Sequence, residues 1–326
     1  MNSSLSEFDN NITLESDSDD AHYLDFILIA FGAFGAIANG FVLFVIGFVK
    51  DLQSGTNLLI ANQSLIDFVT SVFLLVLQVV PASLPTNLPG LAKFICAFWI
   101  SWNPFYITIA ASVANLVLIT TERFYAIMSP IQYRQNMGTR RLALLATIPW
   151  LYGFCFEAHS YAWVRVEGNA CYIFQWPSDK VRQGIGIFLY VLNFLVPTFT
   201  IALLYSLMAV KLRHGANKAQ SNQDSYRDRA RRNIIKTLLI VCVCYVVCWA
   251  PLDNVHFYDA IGGTFNFSGE FYKFAIIMAF ANMWINPIIY SLRYQRFQSA
   301  VVKLFCKREP AREPQTVSTI ATGSKV

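Results

Sequence analysis

Charged positions fall away in seven long stretches of the chain, and these stretches set out its architecture. Residues 26–49, 94–121, 183–210 and 274–292 hold no Asp, Glu, Lys or Arg. Residues 57–80 hold one charge, Asp67. Residues 142–156 are charge-free and run on, apolar, past Glu157 to Val164. Residues 237–252 are charge-free and are extended on both sides by their flanks. A helix needs about 20 apolar residues to cross the hydrocarbon core, and an isolated charge at the bilayer centre is expensive. The pattern predicts an all-α, seven-transmembrane helix bundle over residues 26–292. An acidic arm, 1–25, precedes it. A short amphipathic inner helix, 293–306, and a disordered tail, 307–326, follow it.

Composition narrows the class. The 326 residues are 55% hydrophobic and 14% charged, where a soluble domain carries about a quarter charged residues. This excludes a soluble globular enzyme, and it excludes disorder of the chain as a whole. Of the 25 basic residues, Lys93, Arg165, Lys180, Arg182 and Lys273 lie on the side of the N-terminal arm, and the other 20 lie opposite. The arm has no Lys or Arg and carries seven carboxylates. Basic loops stay inside, so the N-terminus is expected outside and the C-terminus in the cytoplasm, in the plasma membrane. The arm lacks a basic start and an apolar run, which points to the first helix as signal anchor. Sequons at Asn2, Asn11 and Asn266 all fall outside and fit N-glycosylation. The cysteines form no metal spacing. Cys96 and Cys171 are the only two on the oxidising side, so a disulfide between them is expected. Cys306 lies just past the inner edge among Lys303, Lys307 and Arg308. It is either a palmitoylation site or a free thiol.

Polar groups inside the spans carry the candidate chemistry. Asp67 stands mid-span, with Asn39, Ser112, Asn282 and Asn286 at similar depth. A carboxylate among amides and hydroxyls suits a sodium ion or a shared proton, or else a hydrogen-bond network that holds the bundle. Glu122-Arg123, at the inner end of the third span, reads either as a metastable ion pair or as a snorkelling Arg. Prolines at 81, 104, 149, 197, 251 and 287 bend helices and free carbonyls, as in a bundle that changes shape.

These residues fall into the motifs of a family, one per helix. They are Asn39-Gly40, Asp67, Glu122-Arg123-Phe124, Trp150, Pro197 with Tyr205, Cys248-Trp249-Ala250-Pro251, and Asn286-Pro287-Ile288-Ile289-Tyr290, followed by Phe297. From Asp25 to about Cys306 the chain resembles the rhodopsin-like (class A) G-protein-coupled receptors. The resemblance implies that an outer ligand moves the sixth helix outward and opens an inner cavity to a heterotrimeric G protein. Glu122, Arg123, Tyr205, Trp249, Pro251, Asn286, Pro287 and Tyr290 would form the switch. Asp67, Ser112, Asn282 and Asn286 match the family's sodium pocket. No other cofactor and no enzymatic bond chemistry is implied.

The chain departs from the pattern at five places. Tyr245 replaces a usual Phe, Val113 stands where the family often has Ile, and Gln63 replaces a usual apolar residue. Arg231 stands where many members place a Glu that locks Arg123. Cys96 to Arg123 is 27 residues, two more than usual, which with Pro104 predicts a bulge in the third helix.

Phe280 stands where retinal binders carry Lys, and the third span has no carboxylate for an ordinary amine site. The outer half offers Trp102, Phe105, Glu157, His159, Tyr190, Asp253 and His256 as ligand contacts, although interfacial aromatics alone explain several. With the acidic arm these carboxylates concentrate cations. A basic peptide is the expected ligand, and a small cationic molecule at the same carboxylates is the alternative. On the inner side, a basic cluster from Lys211 to Lys236 attracts anionic membrane lipid. Tail hydroxyls at 316, 318, 319, 322 and 324 are candidates for phosphorylation and arrestin recruitment. Ser324-Lys325-Val326 has the form of a PDZ-binding end, at a length where chance serves as well. A transporter or channel is the competing class, but the halves show no internal repeat. Nothing in the chain points to nucleic acid.

Overall fold

The computed structural model describes residues 19–52, 55–80, 83–85, 87–216 and 222–305, with no account of the side chains of 19–22, 56, 213–216 and 222–232. The sequons at Asn2 and Asn11, the side chain of Arg231, Cys306, the tail and Val326 lie outside the described residues.

Seven helical segments are long and apolar enough to cross a membrane: Tyr23–Phe48, Asn57–Val79, Asn103–Met128, Thr139–Trp163, Asp179–Leu212, Asn233–Ala260 and Glu270–Arg293. Their outward faces carry Ile37, Phe44, Phe199 and Val247, all exposed, as lipid-facing positions must be when every backbone group is satisfied within its own helix. Helix α1 (Asp19–Phe48) packs against α2 (Gly55–Val79). Next comes a short α3 (Pro89–Ile95), and then α4 (Asn103–Met128), which lies at the centre of the bundle. Short helices α5 (Pro130–Asn136) and α6 (Thr139–Leu145) lead into α7 (Ile148–Glu157). A hairpin of β1 (Arg165–Glu167) and β2 (Ala170–Tyr172) follows, with Val166 opposite Cys171 and Gly168 supplying the left-handed turn residue (φ 58°). Then come α8 (Asp179–Tyr190), α9 (Val196–Ala216), α10 (Asn222–Ala260), α11 (Glu270–Arg293) and α12 (Gln295–Phe305). The last is the amphipathic eighth helix. It turns Phe297 and Ala300 inward and leaves Phe305 exposed.

The third span is not the single run from Phe94 that the charge pattern predicts. After α3 the chain makes a wide turn through Cys96–Ile100, in which the Ser101 amide reaches five residues back to the Cys96 carbonyl (3.1 Å). Trp102 then adopts a left-handed backbone (φ 57°), and a new helix starts at Asn103. Pro104 explains the break. Its ring would collide with the Ile100 carbonyl of a continuous helix, whereas in a first turn its missing N–H costs nothing. The two additional residues between Cys96 and Arg123 are absorbed here.

The fifth span repeats the device. A wide turn at Val191–Leu195 joins α8 to α9, with Pro197 in the first turn of α9. The Asn193 carbonyl, four residues before Pro197, loses its α-helical donor because proline has no N–H. Close packing marks the third–fourth contact instead, where a Cβ on Gly153 would lie 2.2 Å from the Ile107 carbonyl oxygen.

Candidate functional site

Three layers of polar chemistry run down the bundle. The outermost is capped by the hairpin, tied to the third helix by the Cys96–Cys171 disulfide. Beneath it Glu157 ends α7. Its backbone carbonyl accepts from Asn103 (3.2 Å) and Ser160 (2.9 Å), but its carboxylate meets no hydrogen-bond donor or cation among the described residues. Asp253, half-buried on α10, is equally without a partner there. Tyr152 lies within electrostatic range of Glu157, and its hydroxyl donates to Asn193 Oδ1 (3.5 Å). Tyr190 donates to Asn254 (3.0 Å) and stacks on Phe257 (4.4 Å). His256 sits against Phe267 and Tyr272. His159 bonds through Nδ1 to the Phe156 carbonyl (2.8 Å) and so belongs to the helix end. Arg182 and Asp259 pair across α8 and α10 (3.1 Å).

Phe105 does not face this layer as expected. It is fully buried, stacked on Phe280 at 4.8 Å with Trp102 edge-on at 6.0 Å. The break at Trp102 rotates Phe105 inward, so these rings form the floor of the outer layer. Below them lies a small cavity lined by Asp67, Ser112, Phe105, Trp249, Phe280 and Asn282, with room for about one water-sized body.

The middle layer centres on Asp67, 2% exposed. Its carboxylate accepts from Ser112 (3.0 Å), Asn286 (2.8 Å) and, at both oxygens, Gln63 Nε2 (3.1 and 3.3 Å). Two expected partners lie elsewhere. Asn39 donates to the Gly35 carbonyl (2.9 Å) and to the Met283 carbonyl (2.7 Å). The latter is the oxygen that Pro287, four residues on, strips of its helical donor. Asn282 lines the cavity with Asp67 without bonding it. Sequence reasoning missed Gln63 as a partner because an uncharged amide leaves no mark on a charge pattern. Through Gln63 the network continues. Asn115 donates to Gln63 Oε1 (2.9 Å), Asn62 donates to Asn115 (2.9 Å), and Trp150 donates to Asn62 (3.1 Å). Tyr245, the departure on the sixth helix, donates to the orphaned Asn193 carbonyl (2.7 Å). Two prolines thus each free a carbonyl that a side chain from another helix takes up.

At the inner rim Arg123 folds onto Glu122 through Nε and Nη2, and the Tyr133 hydroxyl from α5 donates to the same carboxylate. Tyr205 and Tyr290 are buried in the surrounding core, and Pro251 and Pro287 sit inside α10 and α11. Thr237 Oγ1 donates to the Arg293 carbonyl (3.2 Å), joining the inner ends of α10 and α11. Beyond the seventh span, Tyr294 donates to Asn57 (2.5 Å), and burial pushes its phenol pKa up. At the hairpin end of the bundle, Asn266 of the remaining sequon is exposed, and its side chain accepts from the Ser268 amide (3.0 Å).

Residues 38–290 match the family model for the 7 transmembrane receptor (rhodopsin family). Among curated proteins the chain is similar to an allatostatin-A receptor of Bombyx mori, 23% identical over 90% of this chain and 83% of that receptor. It is also similar to somatostatin receptor type 4 of Rattus norvegicus, 25% identical over 84% of this chain and 70% of the receptor. Galanin receptor type 1 of Mus musculus is 25% identical over 88% of this chain and 84% of its own length.

Proposed function

The chain belongs to the rhodopsin family of seven-transmembrane receptors, and we propose on that premise that its outer layer binds a basic peptide and its inner rim drives nucleotide exchange on a heterotrimeric G protein. It is a multi-pass membrane receptor and not an enzyme. The observation that carries the ligand's charge is the pair Glu157 and Asp253. Elsewhere in that half Glu167, Asp259 and Glu270 each hold a basic side chain, and Asp25 and Asp179 are exposed, while these two half-buried carboxylates, on the fourth and sixth spans, hold no cation among the described residues. A half-buried carboxylate without a counter-ion is a costly arrangement that a cationic ligand relieves. The ligands named for the three relatives are peptides, which favours a peptide over a small cation at the same groups.

In this reading the disulfide-tied hairpin faces the extracellular side, as does Asn266, and Arg123 faces the cytoplasm. Lipid at the basic inner cluster, arrestin at a phosphorylated tail and a PDZ domain at Val326 are further proposals. The test is a G-protein activation screen of basic peptides on cells expressing the receptor. Asp253→Asn and Glu157→Gln should each weaken a responding peptide by an order of magnitude or more, and Arg123→Ala should abolish the signal at unchanged surface density. A responding peptide whose potency neither carboxylate variant alters would remove the basic-ligand reading. A response that survives Arg123→Ala would remove the coupling mechanism.

A further inference from the structure

The geometry points to Gln63 as a built-in replacement for the cation that the Asp67 pocket would otherwise take, so that this receptor's central polar network runs without sodium. A sodium ion beside a carboxylate needs a shell of about six oxygens, each turning a lone pair toward it. Asp67, Ser112, Asn282 and Asn286 supply suitable groups by type, but their geometry here does not fit. Both carboxylate oxygens already accept N–H from Gln63, and Oδ2 also accepts from Asn286. Ser112 Oγ accepts from Gln63 Nε2 (2.5 Å) while donating to Asp67 Oδ1. Both carboxylate oxygens thus already hold the positive ends of amide and hydroxyl dipoles, which leaves less negative potential for a cation in the neighbouring cavity. Asn282 Oδ1 and Asn286 Oδ1 are buried and accept no bond in the described structure. Of the two, only Asn282 lines the cavity beside Asp67, and its room for about one water-sized body leaves no place for the further waters an ion shell would need.

Gln63 is held in place from its other end. Its carbonyl oxygen accepts from Asn115, whose Nδ2 also reaches the Leu59 carbonyl (3.2 Å). That second bond fixes the orientation of the Gln63 amide, with NH2 toward the acid and oxygen toward Asn115. The result is a tethered dipole in place of an exchangeable ion. It links the seventh span through Asp67 to the third, second and fourth. An ion responds to its concentration, whereas a covalently attached amide does not.

The experiment uses the full chain purified in detergent, with the sodium ion itself as the probe. Thermal midpoints are compared in NaCl and in choline chloride at equal ionic strength. The wild-type receptor should show no sodium-selective shift. Gln63→Met keeps the length and removes the donor, and Gln63→Leu also shortens the chain. At least one should gain a sodium-selective rise of about 3 °C or more, as a ligand at several times its Kd gives, and Asp67→Asn in that background should abolish it. A wild-type shift of that size, abolished by Asp67→Asn, overturns the inference even if neither Gln63 variant folds. Folded Gln63 variants that remain indifferent to sodium overturn it too, because Gln63 would then not be what excludes the ion. The inference does not depend on the peptide ligand, so its failure leaves the proposed function standing.

Discussion

Replacing Glu122 by Gln tests the inner rim most directly. Glu122 is almost fully buried, its side chain 1% exposed against 12% for Arg123, and its carboxylate receives two guanidinium nitrogens and the Tyr133 hydroxyl. An arginine held this way is not available to a G protein. Glu122→Gln keeps the shape and removes the charge. A charge-assisted bond contributes about 1.5–3 kcal/mol and a neutral one about 1, so two bonds lose roughly 1–4 kcal/mol together. Arg123 lies at a partly hydrated rim, and discounting for screening leaves about 1–2 kcal/mol. That energy shifts a two-state equilibrium by a factor of about 5–30. The assay is guanine nucleotide exchange on isolated membranes with no ligand added, normalised to receptor at the surface. Basal exchange should rise by that factor until the active form saturates. Tyr133→Phe removes one charge-assisted bond to the same carboxylate but leaves the ion pair, and should raise exchange by a smaller factor than Glu122→Gln. The double variant should fall short of the product, because both changes act on one carboxylate. If Glu122→Gln stays within twofold of the parent while Arg123→Ala lowers exchange, the ion pair is not what restrains Arg123.

Two further predictions concern the scaffold. Gly153→Ala forces a methyl into the Ile107 carbonyl and should cost about 1–3 kcal/mol, a Tm fall of roughly 3–10 °C. Gly184→Ala, where a Cβ meets nothing within 4 Å, should hold or raise Tm, and equal effects at the two sites would disprove the close-packing argument. Tyr245→Phe leaves the Asn193 carbonyl without its donor and should lower Tm by roughly 2–4 °C, equivalent to about 1 kcal/mol. A Phe variant as stable as the parent would mean that this bond contributes nothing.

The seven spans were legible because charge is excluded from hydrocarbon, and a missing charge can be counted in a sequence. The family itself was legible because its motif residues stand in order, one set per span. The start of the third span was not, since residues 94–102 are as free of charge as the helix that follows. What ends the helix there is a ring against a carbonyl at Pro104 and a left-handed Trp102, and neither alters polarity. The expected bulge was in the spacing, but its consequence for Phe105 needed the backbone. In the middle layer Asp67 announced itself by its charge. Its partners depended on which carbonyls the prolines had emptied: Pro287 draws Asn39 away to Met283, and Pro197 gives Tyr245 its acceptor. Gln63 stood out only as a departure from pattern, and its role follows from an orientation set by Asn115.

The third and fourth spans are fastened to each other at three depths: Asn103 on the Glu157 carbonyl near the outer end, the backbone contact at Gly153 in the middle, and the Asn115–Asn62–Trp150 chain farther in, which also takes in the second span. The fifth and sixth spans are fastened to each other by Arg182–Asp259, Tyr190–Asn254 and Tyr245–Asn193. In an engineer's terms the first group is a stator and the second a rotor arm. The two acids assigned to the ligand stand one on each, Glu157 on the stator and Asp253 on the arm. A cation that grips both therefore acts across the joint between them, where binding can do mechanical work.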